Sequence, residues 1–198
     1  SVGDARFGCG YEGAHVSEAA SADALSAAVQ DSNSTCIKLL PMVYTLTSPL
    51  VVGRMVALVA DNGTATLDGG GASQLLQMDS NADVILFRLT LTNGLVGAME
   101  TNPFESDSTE VTGEANEMTG EANEMGGGAI FNYKGVLKMI SCNLTANIAE
   151  SKGGAIHNYQ GTLDIISSEF SSNQCPVEEC EGGAIYSSEG VLRMSDTT

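Results

Sequence analysis

The sequence predicts an all-β chain, a parallel β-helix with an N-terminal capping helix and a long acidic loop inserted between its coils. Three observations carry that reading. The segment Gly127-Gly128-Ala129-Ile130 recurs as Gly153-Gly154-Ala155-Ile156 and as Gly182-Gly183-Ala184-Ile185, at spacings of 26 (127 to 153) and 29 (153 to 182) residues. Each repeat holds only short runs with period-two alternation, bounded by Gly, Asn and Ser, which is a strand signature. No run has room for a crossover helix, so each strand must pair with its counterpart one repeat on.

Composition narrows the function classes. The 198 residues include 25 acidic and 8 basic side chains, for a net charge of −17, and the basic residues are scattered. Such a surface repels phosphate and anionic lipid, which excludes nucleic acid as a partner. A hydrophobic content of 42% excludes a wholly disordered chain. No apolar run is long enough for a membrane span. The chain opens on Ser1 without a charged, then apolar, leader, which reads as a processed N-terminus.

Residues 1–36 read as the N-terminal cap. Ser17 to Gln30 is Ala-rich, with Val29 four residues after Leu25, an amphipathic helix near 17–30 that would shield the first coil from solvent and from further strand addition. Cys9 and Cys36 flank it and are placed to staple it. Residues 37–94 read as degenerate first coils, with strand-like runs at Ile37 to Pro41, Val43 to Thr47, Val51 to Ala60, Thr64 to Gly71 and Val84 to Gly94. Residues 95–126 form the acidic insertion, in which Thr112 to Met118 is repeated identically as Thr119 to Met125. Residues 127–198 are the regular coils, the last incomplete. An edge left there would be covered by continuation of the same chain or by other protein chains, the partners this reading expects.

Within the regular coils the alternation assigns directions. Ile130, Ile156 and Ile185 face inward, as do Leu137, Met139, Leu163 and Ile165, while Lys138, Asp164 and Arg193 form an outward column. Phe131, His157 and Tyr186 vary in chemistry and are expected to stack on the surface. The glycine pairs Gly127-Gly128, Gly153-Gly154 and Gly182-Gly183 supply backbone angles or close approaches that a Cβ would block. Asn132 above Asn158, and Asn147 above Asn173, are positioned to form amide ladders from coil to coil. Three extra residues in the second repeat coincide with Cys175-Pro-Val-Glu-Glu-Cys180, which reads as a disulfide-stapled loop. Cys142 aligns with Ser168 and Thr197 at a turn, as a free, partly buried thiol.

The Gly-Gly-Ala-Ile repeats, with Phe170 to Asn173 as a strict Phe-x-x-Asn and Leu144 to Asn147 as a variant, resemble the polymorphic outer membrane protein (Pmp) type repeats of bacterial adhesins and related algal surface proteins. The likeness covers residues 127 to 198, and Ile37 to Gly94 is similar to the coils that precede such repeats. It implies the right-handed parallel β-helix of the pectin-lyase-like superfamily, and secretion with an adhesive or structural role.

Candidate sites are few. The sequons at Asn33, Asn62 and Asn143 suit a glycosylating secretory route to the cell surface. Glu114, Glu117, Glu121 and Glu124 are candidate Ca²⁺ ligands, because hard cations take clustered carboxylates; calcium is the one cofactor the sequence suggests. The acidic composition favours instead a tandem duplication in a solvated loop. Polysaccharide cleavage needs two carboxylates across the scissile bond, or a base with a cationic partner, and neither constellation stands out, so no catalytic residue is assigned. The expected function is a non-enzymatic structural or adhesive module with glycans as candidate ligands; a carbohydrate-binding or carbohydrate-cleaving enzyme is the alternative. Ice binding is a minor alternative, since Thr45-Leu46-Thr47, Thr64-Ala65-Thr66 and Thr90-Leu91-Thr92 could form a flat Thr array, although the later coils are not expected to continue it.

Overall fold

A computed structural model describes Cys9 and residues 14–60, 62–97, 126–178 and 180–198. In chain order the described elements are β1 (Val16–Ala19), α1 (Ala22–Gln30), β2 (Cys36–Leu39), β3 (Val43–Thr45), β4 (Leu50–Val52), β5 (Met55–Val59), β6 (Ala65–Asp68), β7 (Leu76–Met78), β8 (Asp83–Phe87), β9 (Leu89–Thr92) and β10 (Leu95–Val96). They continue as β11 (Ile130–Tyr133), β12 (Val136–Ile140), β13 (Asn143–Thr145), β14 (Ile148–Ala149), β15 (Ile156–Tyr159), β16 (Thr162–Ile166), β17 (Glu169–Ser171), β18 (Ile185–Ser188) and β19 (Val191–Ser195).

The strands form parallel sheets that the chain visits in rotation. The first sheet runs β1-β2-β5-β8-β12-β16-β19, the second β3-β6-β9-β13-β17, the third β4-β7-β11-β15-β18, and a short fourth pairs β10 with β14. The repeats stack without slippage: Ile130 lies beside Ile156 and Ile156 beside Ile185. A one-residue slip would turn every inward side chain to solvent, so the alternating pattern itself fixes this register.

The inward positions build one continuous core. Val84, Leu137 and Leu163 form one row and Leu86, Met139 and Ile165 the next. The second sheet adds Tyr44, Leu67, Leu91 and Leu144, the third Leu50, Leu76, Ile130 and Ile156, all at most 2% exposed. Each such side chain contributes roughly 1.5–3 kcal/mol by leaving water. The corners between sheets recur as single residues in left-handed conformation: Arg88, Ser141, Ser167 and Asp196 after the first sheet, Asn93, Ala146 and Ser172 after the second, and Lys134, Gln160 and Glu189 after the third, with φ between 49° and 62°.

The cap differs from the sequence expectation. The helix is confined to Ala22–Gln30, and Ser17 to Ala19, expected within it, belong to the strand Val16–Ala19 paired with Cys36–Leu39. The boundary is set by Ser21, whose Oγ accepts from Ala24 N at 3.1 Å, and by Tyr44, whose hydroxyl donates to Ala19 O at 2.6 Å. Leu25 and Val29 enter the core as expected. Leu95 and Val96, assigned by the sequence to the acidic insertion, form a strand that pairs with Ile148 and Ala149. The strand β7, in a Leu-Leu-Gln-Met stretch without alternation, was not foreseen; all three of its residues are buried.

Candidate functional site

The outward faces of the three large sheets have different chemistry. On the third sheet, Phe131, His157 and Tyr186 lie in register, with ring centroids 5.2 Å apart at both steps. Beside them Tyr133 and Tyr159 stack at 5.8 Å and 12°. These residues point away from the core as expected, but not into solvent: Phe131 and His157 are 0% exposed. The reason is the fourth sheet, whose Val96 and Ala149 close over Phe131, Tyr133 and Tyr159 as a second apolar cluster. Lys134 Nζ sits 4.3 Å from the Tyr133 ring and bonds its hydroxyl, and Lys152 Nζ sits 5.3 Å from the Tyr186 ring. Cation–π contacts of this kind contribute about 0.5–2 kcal/mol. The arrangement is an aromatic girder, and it holds His157 as a packed ring.

On the first sheet the column Lys138, Asp164, Arg193 is in register. Arg193 Nη1 lies 3.1 Å from Asp164 Oδ1 in an exposed pair, a geometry that adds at most about 1 kcal/mol. Exposed Met55, Val136 and Val191 flank it.

On the second sheet the hydroxyl array continues further than the sequence suggests. Thr145 lies beside Thr92, and Ser171 beside Thr145, with Ser171 Oγ 3.0 Å from Thr145 Oγ1. Thr47 and Thr64, counted in the sequence reading, lie outside the strands.

The recurrent Asn and Gly residues occupy the interior and the corners. Asn132 Nδ2 donates to Asn158 Oδ1 at 2.7 Å, and Asn158 Nδ2 to Ser187 Oγ at 2.9 Å. Asn147 Nδ2 donates to Asn173 Oδ1 at 2.9 Å, while Asn147 Oδ1 accepts from Gly94 N. Gly127, Gly153 and Gly182 have φ of 74°, 59° and 72°, the conformation a β-carbon disfavours. Gly128 is required for a different reason, since a Cβ there would stand 2.7 Å from Gly154 O; no such approach exists at Gly183.

Cys9 is bonded to Cys36 and Cys175 to Cys180. Cys142 is free and fully buried, at 2% exposure, deeper than its turn position suggests. Among the sequons, Asn33 and Asn62 are exposed, whereas Asn143 is half-buried within β13 with its Oδ1 enclosed. Glu114, Glu117, Glu121 and Glu124 lie outside the described residues. Among the described residues no group of three or more His, Cys, Asp or Glu side chains is placed to hold a metal ion, and no helix is long and apolar enough to cross a membrane.

The residue that sequence reasoning missed is Arg54. Its guanidinium donates to Val29 O at 2.9 Å, Ala28 O at 3.2 Å, Ser34 O at 2.5 Å and Met55 O at 3.0 Å, locking the end of α1 to the first sheet. Burial lowers its pKa, and Asp31 nearby opposes that shift. A lone basic residue before a strand carries no sequence signal of this role.

Residues 167–188 match the Chlamydia polymorphic membrane protein (Chlamydia_PMP) repeat. The match spans Phe170 to Asn173 and Gly182 to Ile185, and so places a Pmp-type repeat on β17, the Cys175–Cys180 loop and β18. No curated protein and no solved structure matches the chain significantly.

Proposed function

We propose that the chain is a rigid, secreted, non-enzymatic surface module, a right-handed parallel β-helix whose outer faces serve structural or adhesive contacts with other protein chains or glycans. The observation that carries this reading is the coincidence of two units. The segment that matches a Pmp-type repeat is also the segment that stacks, residue on residue, in parallel register with its neighbours. A repeat that cannot bury its apolar face alone gains stability by stacking, and the product is an extended, stiff rod suited to presenting surfaces at a distance.

Two further features support an extracellular setting. Disulfides persist in oxidising compartments, and here one staples the cap and one a surface loop. The acidic surface keeps such a rod soluble and repels like-charged neighbours. The fold alone assigns no chemistry.

The test is binding without turnover. Labelled protein is applied to a glycan array and to cell surfaces, and the same ligands are assayed for newly released reducing ends and for unsaturated uronates. Retention on a surface ligand with no product is the expected result. Catalytic release of sugar from any retained glycan would replace the adhesive reading with the enzymatic one.

A further inference from the structure

The second sheet carries a surface with a chemistry of its own. Its outward positions fall into two columns, one of Thr45, Asp68, Thr92, Thr145 and Ser171, the other of Val43, Thr66, Thr90, Asn143 and Glu169. Six of the ten are hydroxyl residues: Thr45, Thr66, Thr90, Thr92, Thr145 and Ser171. All six are exposed or half-exposed. Parallel pairing spaces neighbouring strands by about 4.8 Å, and alternate residues along a strand by about 6.6 Å, so these groups occupy a rectangular net.

Three properties restrict what such a net can bind. It is a sheet face and not a cleft, whereas small molecules are held in concave sites. Its partner must therefore be extended and periodic. The outward columns hold no aromatic ring, so the stacking platform that sugar rings favour is missing. Two of the ten positions are charged: Asp68, whose Oδ1 accepts from Gly70 N at 2.9 Å and from Asn93 Nδ2 at 3.0 Å, and exposed Glu169, on β17 at one end of the sheet.

Across the strands from Thr45 to Thr145 the other outward positions offer mainly hydroxyl and methyl groups at fixed spacing. Each Thr offers a hydroxyl that can take the place of a lattice water and a methyl that displaces disordered solvent. The backbone ladders hold the spacing before contact, so little conformational freedom is lost on binding. Among the described elements α1 packs on β1, β2 and β4, and the fourth sheet covers the third, which leaves this face open. The two repeats of the net approximate those of the oxygen positions on the faces of hexagonal ice.

We propose that the outward face of the second sheet binds ice, with crystalline water as the ligand. The property goes beyond the adhesive reading and stands or falls apart from it.

The test uses the full 198-residue chain, with ice-affinity partitioning and thermal hysteresis as readouts. Three variants are compared: Thr92→Tyr and Thr145→Tyr on the second sheet, and Thr162→Tyr on the outward face of the first. Circular dichroism checks that each folds, and Thr145→Lys replaces any face variant that does not. The unmodified chain is expected to enter the ice fraction and to facet growing crystals. Both second-sheet variants are expected to lose this activity and Thr162→Tyr to keep it. Exclusion of the unmodified chain from ice, to the extent of an inert soluble protein, would overturn the proposal. So would retained partitioning in the Thr92→Tyr and Thr145→Tyr variants, or binding to insoluble cellulose in place of ice.

Discussion

Asn132 and Asn158, one circuit apart, are joined amide to amide at 2.7 Å inside the protein, and neither is exposed to solvent. Each also donates to the corner carbonyl three residues on, Asn132 to Gly135 O and Asn158 to Gly161 O, both at 3.1 Å. The pair therefore ties successive corners to each other as well as filling the interior. Asn158→Ala removes the acceptor of Asn132 Nδ2 and the amide bonds to Gly161 O and Ser187 Oγ, leaving Gly161 O with its backbone donor Val191 N at 2.9 Å. Losses of this kind cost about 1–3 kcal/mol for each buried group left unpaired. For a loss of about 1–3 kcal/mol in all, at roughly 2–4 °C per kcal/mol for a chain of this size, the thermal midpoint is expected to fall by about 2–12 °C. Asn173→Ala, at a half-exposed position, is expected to cost less; calorimetry of both variants measures the difference.

Arg54 acts where α1 has no basic residue of its own in its last turn. The last carbonyls of a helix lack intrahelical partners, and a cation there also opposes the helix dipole. Arg54→Met keeps the aliphatic stem and removes the donors. The expected outcome is faster hydrogen exchange across Ala22–Gln30 with unchanged exchange across Ile130–Tyr133. Arg54→Lys is expected to restore little of the protection, because one ammonium cannot reach the separate carbonyls that a planar fork spans. Equal acceleration in both segments would show that Arg54 supports the whole fold and not the cap.

What the sequence revealed depended on repetition. The inward rows, the Asn ladders, the Gly corners and the pairing of Cys175 with Cys180 all sit at positions that recur or interrupt a recurrence, so each could be read against its copies. The features that escaped have no copy. Arg54 bonds carbonyls 20 to 26 residues away, and β7 is buried at all three positions, which erases its alternation. The burial of Phe131 depends on Val96 and Ala149, whose two-residue strands are too short to show a period. The hydroxyl face was underestimated for a related reason, because Thr145 and Ser171 join it only once the pairing register is known.

Cys142 links burial to pH. Its Sγ lies 3.5 Å from the carbonyl oxygens of Leu86 and Ile140, and desolvation pushes the thiol up to about 11 from an ordinary 9.0. The folded chain thus holds this proton more tightly than the unfolded chain does. The associated stability is intact below about pH 9 and is lost as pH rises through about 11, amounting to roughly 3 kcal/mol in all. The stability advantage of the unmodified chain over Cys142→Ala is therefore expected to shrink between pH 8.5 and pH 10.5, values chosen as roughly the edges of that window. Urea midpoints at the two pH values measure it. Iodoacetamide is expected to label Cys142 at neutral pH only after unfolding, and labelling of the native chain would contradict the burial.

The two disulfides are expected to differ in their worth. Cys9 and Cys36 are 27 residues apart in sequence, and Cys175 and Cys180 only 5. The entropy that a crosslink removes from the unfolded chain grows with the logarithm of the loop it closes, which gives about 3.5 kcal/mol for the first and about 2 kcal/mol for the second. Position reinforces the contrast. Cys36 is buried in β2 between Val16 and Ala57, so its bond anchors the N-terminal segment to the first sheet. Cys175 and Cys180 lie on a partly exposed loop. Replacing each pair by Ser and recording the thermal midpoint under non-reducing conditions is expected to show the larger loss for Cys9 and Cys36. An equal or larger loss for the short loop would mean that the Cys175–Cys180 bond organises the packing of β17 and β18, and does more than close a surface turn.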